Sequence, residues 1–295
     1  MPDVEILNVA VGNGAEIILR RLPRADAPRL LLSHGNGFAI GGYRKFWELL
    51  APDFELCLFD LRNHGLNART PLEEHSIAAM AADHVAIRKS VADAFGERKT
   101  LGLFHSVSSI AAIMAARDHG LTWDGLVLFD PPLIAPEGNA LRPMNQKLDE
   151  NLRNFASSRQ SHFESVAELT QQFQQKLGRN WVQGAAADMA EATLRPAPEG
   201  GYELSCPGGY EAKIYAENSA FGSFEAAAHL KQPTFLICAD PQAPRALPPA
   251  FSGPQAAAQF GFECVSVADT GHLLQIEKPD VVAGHVRSFC AQFTG

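Results

Sequence analysis

Six short runs of this chain are apolar at nearly every residue: Arg29–Ser33, Glu55–Phe59, Thr100–Phe104, Gly125–Phe129, Thr234–Ala239 and Glu263–Ala268. Runs without polar alternation suit strands covered by helices on both faces, as in a parallel sheet. Helical patterns are interleaved with them at Tyr43–Leu50, Ile77–Phe95, Val107–His119, Pro254–Phe260 and Pro279–Phe293. That alternation predicts an open α/β fold with a mostly parallel central sheet and right-handed crossovers. Two more strands, Val4–Val11 and Glu16–Leu22, come first, and Asn13-Gly14 between them tolerates the positive φ of a tight turn.

The alternation breaks once. Between Pro131 and His229 the chain offers helical stretches rich in Gln, Ala and Leu and no convincing buried strand. Structureless loops of that length are rare, so a helical cap is expected between the sixth and seventh strands. The expected organisation is a core from 1–132 and 230–295 with a cap over 133–229. In the cap, Gln171, Gln172, Gln174 and Gln175 read as a solvated helix face. Phe155, Phe163, Phe173, Leu177, Trp181 and Met189 fall on the other face, as core or as lining of an apolar pocket. The later stretch Leu204–Tyr210 reads as a turn-rich return to the sheet.

Charge and cysteine content narrow the setting. With 25 basic and 33 acidic residues the net charge is −8, and no basic stretch offsets it, which argues against nucleic-acid partners. No window has 18 consecutive apolar residues, so no membrane span is expected. Met1–Glu5 is acidic and lacks the basic and apolar regions of a signal peptide. The five cysteines (Cys57, Cys206, Cys238, Cys264, Cys290) form no CxxC pair, and three lie in the apolar runs, which favours a reducing, cytoplasmic setting.

The densest chemical signal is Thr100-Leu-Gly-Leu-Phe-His105-Ser106-Val107-Ser108-Ser109 followed by a helix of small residues. A strand running into Ser and then at once into a helix lifts Oγ above the sheet and turns the next backbone N–H, that of Val107, toward an oxyanion. Ser is also a common helix cap, so the context matters. Upstream, Ser33-His34-Gly35-Asn36-Gly37-Phe38 ends the first parallel strand in a glycine-rich loop, where Asn36 or Gly37 could supply a second oxyanion donor. Downstream, Asp269-Thr270-Gly271-His272 places a His after the last strand.

With those three segments in order, the chain resembles the α/β-hydrolase superfamily from about Glu16 to Phe293. Asp60-Leu-Arg62-Asn63-His64-Gly65, Asp130-Pro131 and Thr270-Gly271-His272 also fit, and His34–Phe38 with Tyr43 and Phe46 is closest to a branch of bacterial hydrolases of poorly defined substrate. The resemblance implies Ser106 as nucleophile, His272 as base and a carboxylate after one of two strands. Asp130, 24 residues after Ser106, is favoured on spacing; Asp240 is the alternative; Asp269 lies too close to His272 in sequence to orient it easily. Asn36 and Val107 are the expected oxyanion donors. Gly37, Phe38 and His105 are candidates for substrate binding, with His105 equally readable as local packing.

One departure stands out. The family elbow usually has Gly at the positions held here by Phe104 and Ser108, often with another where Ser109 stands. Phe104 must point away from the helix or the elbow must open.

The expected function is a serine hydrolase of a small ester, thioester or lactone, acting through an acyl-Ser106 intermediate, with no cofactor and no metal. The alternative keeps the fold as a ligand-binding receptor or as a cofactor-free lyase or oxygenase. Gly35–Ile40 imitates a dinucleotide loop, but Ile40 stands where its third glycine belongs. His64, His75, His84, His119, His162, His229 and His285 are scattered and read as surface or cap residues. Whether copies of the chain assemble into a homo-oligomer is left open.

Overall fold

The computed structural model describes residues 4–293; Met1–Asp3, part of the stretch read above for a signal peptide, lies outside them. The hairpin of β1 (Glu5–Ala10) and β2 (Glu16–Leu22) turns through Asn13 and Gly14, both at positive φ as expected. Then come β3 (Arg29–Ser33), α1 (Arg44–Leu50), β4 (Glu55–Phe59), α2 (Ile77–Phe95), β5 (Thr100–His105), α3 (Val107–His119) and β6 (Gly125–Phe129). After β6 lie α4 (Arg142–Ser158), β7 (His162–Phe163), α5 (Val166–Lys176), α6 (Ala185–Thr193), β8 (Leu194–Pro196), β9 (Tyr202–Leu204), α7 (Gly208–Asn218) and α8 (Ser223–Ala226). The chain returns through β10 (Thr234–Cys238), α9 (Pro249–Phe260), β11 (Glu263–Ser266), α10 (Leu274–Glu277) and α11 (Pro279–Cys290).

The main sheet has eight strands in the order β1-β2-β4-β3-β5-β6-β10-β11. β2 pairs antiparallel with β1 and β4, and every other pairing is parallel. Side chains alternate across it. Leu30 and Leu32 face a core with Phe46, Trp47, Val282 and Val286, while Leu31, Cys57 and Phe59 face another with Met80, Ile110 and Ile113. Covering both faces accounts for the unbroken apolar runs, since each fully buried Leu or Val contributes roughly 1.5–3 kcal/mol.

The structure corrects three sequence expectations. The stretch between β6 and β10 is not purely helical: β7, β9 and β8 form a small antiparallel sheet in that order. Strands of two or three residues carry no period from which to recognise them. The run at β11 is an edge strand, largely exposed, because only β10 pairs with it. Helix α9 opens at Pro249 after Pro248, not at Pro254, which sits inside it. No helix among the described residues is long and apolar enough to cross a membrane.

Candidate active site

Ser106 sits between the end of β5 and the start of α3 at φ 55° and ψ −121°. A positive φ is costly for a residue with a Cβ, and here the flanking strand and helix impose it. The missing elbow glycines have specific replacements. The Phe104 ring stacks on His84 of α2, with 4.6 Å between ring centroids, and meets Trp123 and Phe59 edge-on. Gly102 makes this possible, since a Cβ there would lie 2.4 Å from the ring. Ser109 Oγ donates to the Phe104 carbonyl at 2.7 Å; Ser108 Oγ donates to the His105 carbonyl at 2.8 Å and accepts the His105 N–H at 2.9 Å. Both serines therefore fasten the helix to the end of the strand.

Three distant residues converge at this turn. His272, on the loop after β11, has Nε2 2.9 Å from Ser106 Oγ and Nδ1 2.6 Å from Asp130 Oδ2. A carboxylate only accepts, so Nδ1 carries the proton and Nε2 is left to accept from the hydroxyl. Asp130 is fully buried at the end of β6, at φ 42°, and its second oxygen accepts the Ala239 N–H at 3.0 Å. Asp240 does not reach the ring. Its carboxylate accepts the N–H groups of Gln242 and Asp269, both at 2.8 Å, and so braces the turn that carries His272. Asp269 is exposed and lies 3.4 Å from Lys278. Glu277 steadies the same loop by accepting the Gly271 N–H at 2.7 Å.

The glycine-rich loop lies beside the Ser. Gly35 packs so closely that a Cβ would meet His105 at 3.0 Å and Ser106 at 3.2 Å. The N–H groups of Asn36 and Gly37 point in different directions. The Gly37 N–H donates to His64 Nε2 at 3.1 Å, and Gly37 is not among the residues lining the cavity. That corrects the expectation of a substrate-facing Gly37. No hydrogen bond among the described residues engages the N–H of Asn36 or of Val107, and both residues line the cavity. The Asn36 side chain is held by donating from Nδ2 to the Glu211 carbonyl at 2.9 Å.

Buried imidazoles fix this loop, which also corrects the reading of His64, His75 and His84 as surface or cap residues. His34 donates from Nδ1 to the Gly35 carbonyl and accepts the Leu61 N–H. His64 donates from Nδ1 to the Arg62 carbonyl while accepting from Gly37. His105 lies between Tyr43 Oη at 2.7 Å and the His272 carbonyl at 2.8 Å, so Tyr43 donates to Nδ1 and Nε2–H donates to the carbonyl. Tyr43 Oη also accepts the Gly35 N–H at 3.3 Å. Burial drives His34, His64 and His105 below the ordinary imidazole range, and His75 and His84 down to about 3. These rings are neutral; His34, His64 and His105 each accept one hydrogen bond and donate one, whereas His75 is bonded only through Nδ1, to Asn63, and His84 packs without a hydrogen bond among the described residues. Asp60 and Arg62 complete the frame: Asp60 accepts the Ile40 N–H at 2.7 Å, and Arg62 grips Asp83 with two bonds of 2.7 and 2.6 Å.

Above the turn is a cavity of about 380 Å³, lined by Asn36, Phe38, His105, Ser106, Val107 and His272 from the core and by residues of α4, α5 and α7. The aromatic stripe divides. Phe155, Phe163, Phe173 and Leu177 line the cavity, whereas Trp181 packs on Phe173 and Met189 is buried against Gly42. Within the cavity wall are polar residues that no motif announced: Asp149, Arg159, Glu211, Tyr215 and Asn218. Arg159 pairs with Glu211 at 2.6 Å. Their signal was faint: Asp149 shares the buried stripe of an amphipathic helix with Asn145 and Ala156.

Strand order, elbow and the Ser106–His272–Asp130 contacts define an α/β-hydrolase architecture. A family model described as "Alpha/beta hydrolase family" matches residues 30–285, and the chain belongs to that family. Among curated proteins, a putative carbamate hydrolase, RutD, of Caulobacter sp. (strain K31) is 31% identical over 110 residues, which span 36% of this chain and 38% of the relative. Among solved structures, E-2-(acetamidomethylene)succinate hydrolase superposes with TM-score 0.81 at 16% identity, covering 98% of this chain and 100% of that one. The thioesterase domain from the curacin biosynthetic pathway gives 0.71 at 19% identity, over 97% and 99%.

Proposed function

We propose that the protein is a serine hydrolase that cleaves a small carboxylic ester, thioester or lactone through an acyl-Ser106 intermediate. The observation that carries this reading is the continuous line from Ser106 Oγ to His272 and on to the buried Asp130, at 2.9 and 2.6 Å, at the floor of a cavity. His272 takes the Ser106 proton as Oγ attacks the acyl carbonyl, and Asp130 holds the ring in the required tautomer. The unengaged N–H groups of Val107 and Asn36 stabilise the tetrahedral oxyanion, and the N-terminus of α3 adds its dipole. His272 then protonates the leaving group, and water repeats the cycle to release the acid.

Relatives named for carbamate and thioester cleavage support attack at a carbonyl that bears a heteroatom leaving group. The segment 133–229 acts as the cap that shapes the acyl pocket over a core of 1–132 and 230–295. Fluorophosphonate labelling read by mass spectrometry tests the proposal. Ser106 is expected to be labelled in the wild-type protein and to lose labelling in His272→Ala. An unreactive Ser106 in folded protein overturns it and favours the binding or lyase alternative.

A further inference from the structure

Part of the cavity wall comes from α4 and α7, where Asp149 and Asn218 lie among Leu148, Leu152 and Ile214. Both polar residues are buried, each with 4% exposure. One Asp149 oxygen, Oδ2, accepts from Asn218 Nδ2 at 3.1 Å and from Ser219 Oγ at 2.9 Å. Among the described residues Oδ1 has no hydrogen bond, and no cation pairs with the carboxylate. Asn218 Oδ1, beside it, is buried without a donor. The cations that line the cavity are occupied or elsewhere: Arg159 is held by Glu211, and Lys176 is solvent-exposed. Tyr215 donates to Glu211, at 3.4 Å, and not to Asp149.

The wall thus leaves one carboxylate oxygen, Asp149 Oδ1, without a donor. A buried carboxylate without a counter-ion is among the costlier arrangements a protein can hold. Burial pushes the Asp149 carboxyl up to about 6, so it still carries its charge at neutral pH. We propose that Asp149, through its unbonded Oδ1, is the subsite for a primary ammonium group on the acyl substrate, making the preferred substrate a short ω-amino acyl ester, thioester or lactone. The apolar neighbours take up the intervening methylenes, and the ammonium supplies the N–H donor that Asp149 Oδ1 lacks. A charge-assisted contact of this kind is stronger than a neutral one and distinguishes a cation from an isosteric methyl group.

The inference rests on the serine-hydrolase reading for the orientation of the acyl group, and its test is one that does not depend on turnover. Calorimetric titration of Ser106→Ala protein with the methyl ester of a short ω-amino acid is compared with the methyl-terminated and the carboxamide-terminated esters of equal length. The ammonium compound is expected to bind at least about tenfold tighter than either, and the advantage to vanish in Ser106→Ala/Asp149→Asn. Ser219→Ala, which removes a bond to Asp149 without touching the cavity, is expected to keep the advantage. Thermal melts of each variant verify folding. Equal binding of the three esters, equal binding of the carboxamide and ammonium compounds, or an advantage that survives Asp149→Asn overturns the proposal. Failure of Ser106 labelling in the wild-type protein leaves this binding result standing, so the two failures are distinguishable.

Discussion

Around Ser106 the side chains form a nearly closed circuit: His34, His64, His105 and His272 each have two hydrogen-bond partners, Asp130 uses both oxygens, Tyr43 links Gly35 to His105, and Asn36 Oδ1 is left unpaired. Along α4 and α7 the circuit is open, with Asp149 and Asn218 each leaving an oxygen unused. Both regions border one cavity. The first is built to hold atoms still while charge moves, which is what a preorganised site requires. The second leaves Asp149 Oδ1 unbonded at the cavity wall. On the proposed reading the core loops carry the chemistry, and the insertion carries the selection.

The sharpest way to break that division is to remove the chemistry. Ser106→Ala and His272→Ala are each expected to lower kcat by about 10⁴- to 10⁶-fold on an activated ester while leaving ester binding measurable. Loss of binding together with rate would make the floor a ligand anchor and erase the contrast. Asp130→Asn is expected to cost about 10⁴-fold, because the amide can no longer hold the His272 tautomer. Asp240→Asn, which alters only a turn brace, is expected to stay within about tenfold of wild type by the same criterion of ring contact. Equal losses in the two variants would mean that the bracing of the His272 loop, not the Asp130 contact, governs the rate.

A smaller effect probes whether the circuit matters as a circuit. Tyr43→Phe removes the hydroxyl that accepts from Gly35 and donates to His105 Nδ1, leaving two buried groups unpaired. Such groups cost roughly 1–3 kcal/mol in stability, and a displaced oxyanion loop is expected to lower kcat by about 10- to 100-fold with KM little changed. A change in KM alone would assign Tyr43 to the pocket wall.

How much of this was legible in the sequence follows the same boundary. Ser106 and His272 stood out because the elbow needs an apolar strand and a small-residue helix in contact with one Ser, and both leave compositional traces. Asp130 was favoured over Asp240 on spacing, and the two differ in the structure by which backbone N–H groups they face. The choice of Asn36 over Gly37 depends on the direction of one N–H, which no residue type encodes. The burial of His64, His75 and His84 depends on neighbours such as Gly37, Asn63 and Phe104 that the folded chain brings against them. Phe104 in place of glycine became intelligible only with Gly102, two residues earlier on the same strand face. Asp149 left one trace, a charge on the buried stripe of α4, and nothing there says whether a partner waits across the gap.

Asp149 yields the effect that sharpens the contrast most. Its carboxyl lies above the ordinary 3.8, at about 6, because burial disfavours the charge. A carboxyl raised in the folded state binds its proton more tightly there than in the unfolded chain. Below about pH 4 both states are protonated and the residue costs nothing; as pH rises through 6 the full penalty is present. Two pKa units correspond to roughly 3 kcal/mol, a figure that already includes the bonds from Asn218 and Ser219 to the carboxylate. Asp149→Asn is therefore expected to stabilise the protein by about 3 kcal/mol near pH 8, with the gain shrinking below about 1 kcal/mol near pH 4. The other titratable groups nearby, Tyr215 and beyond it the Glu211–Arg159 pair, are common to both proteins and drop out of the difference. Thermal melts of the two proteins across that range read it directly. A melting-temperature difference that does not vary with pH would show that Asp149 is compensated in the folded state, and the open wall would then be closed like the floor.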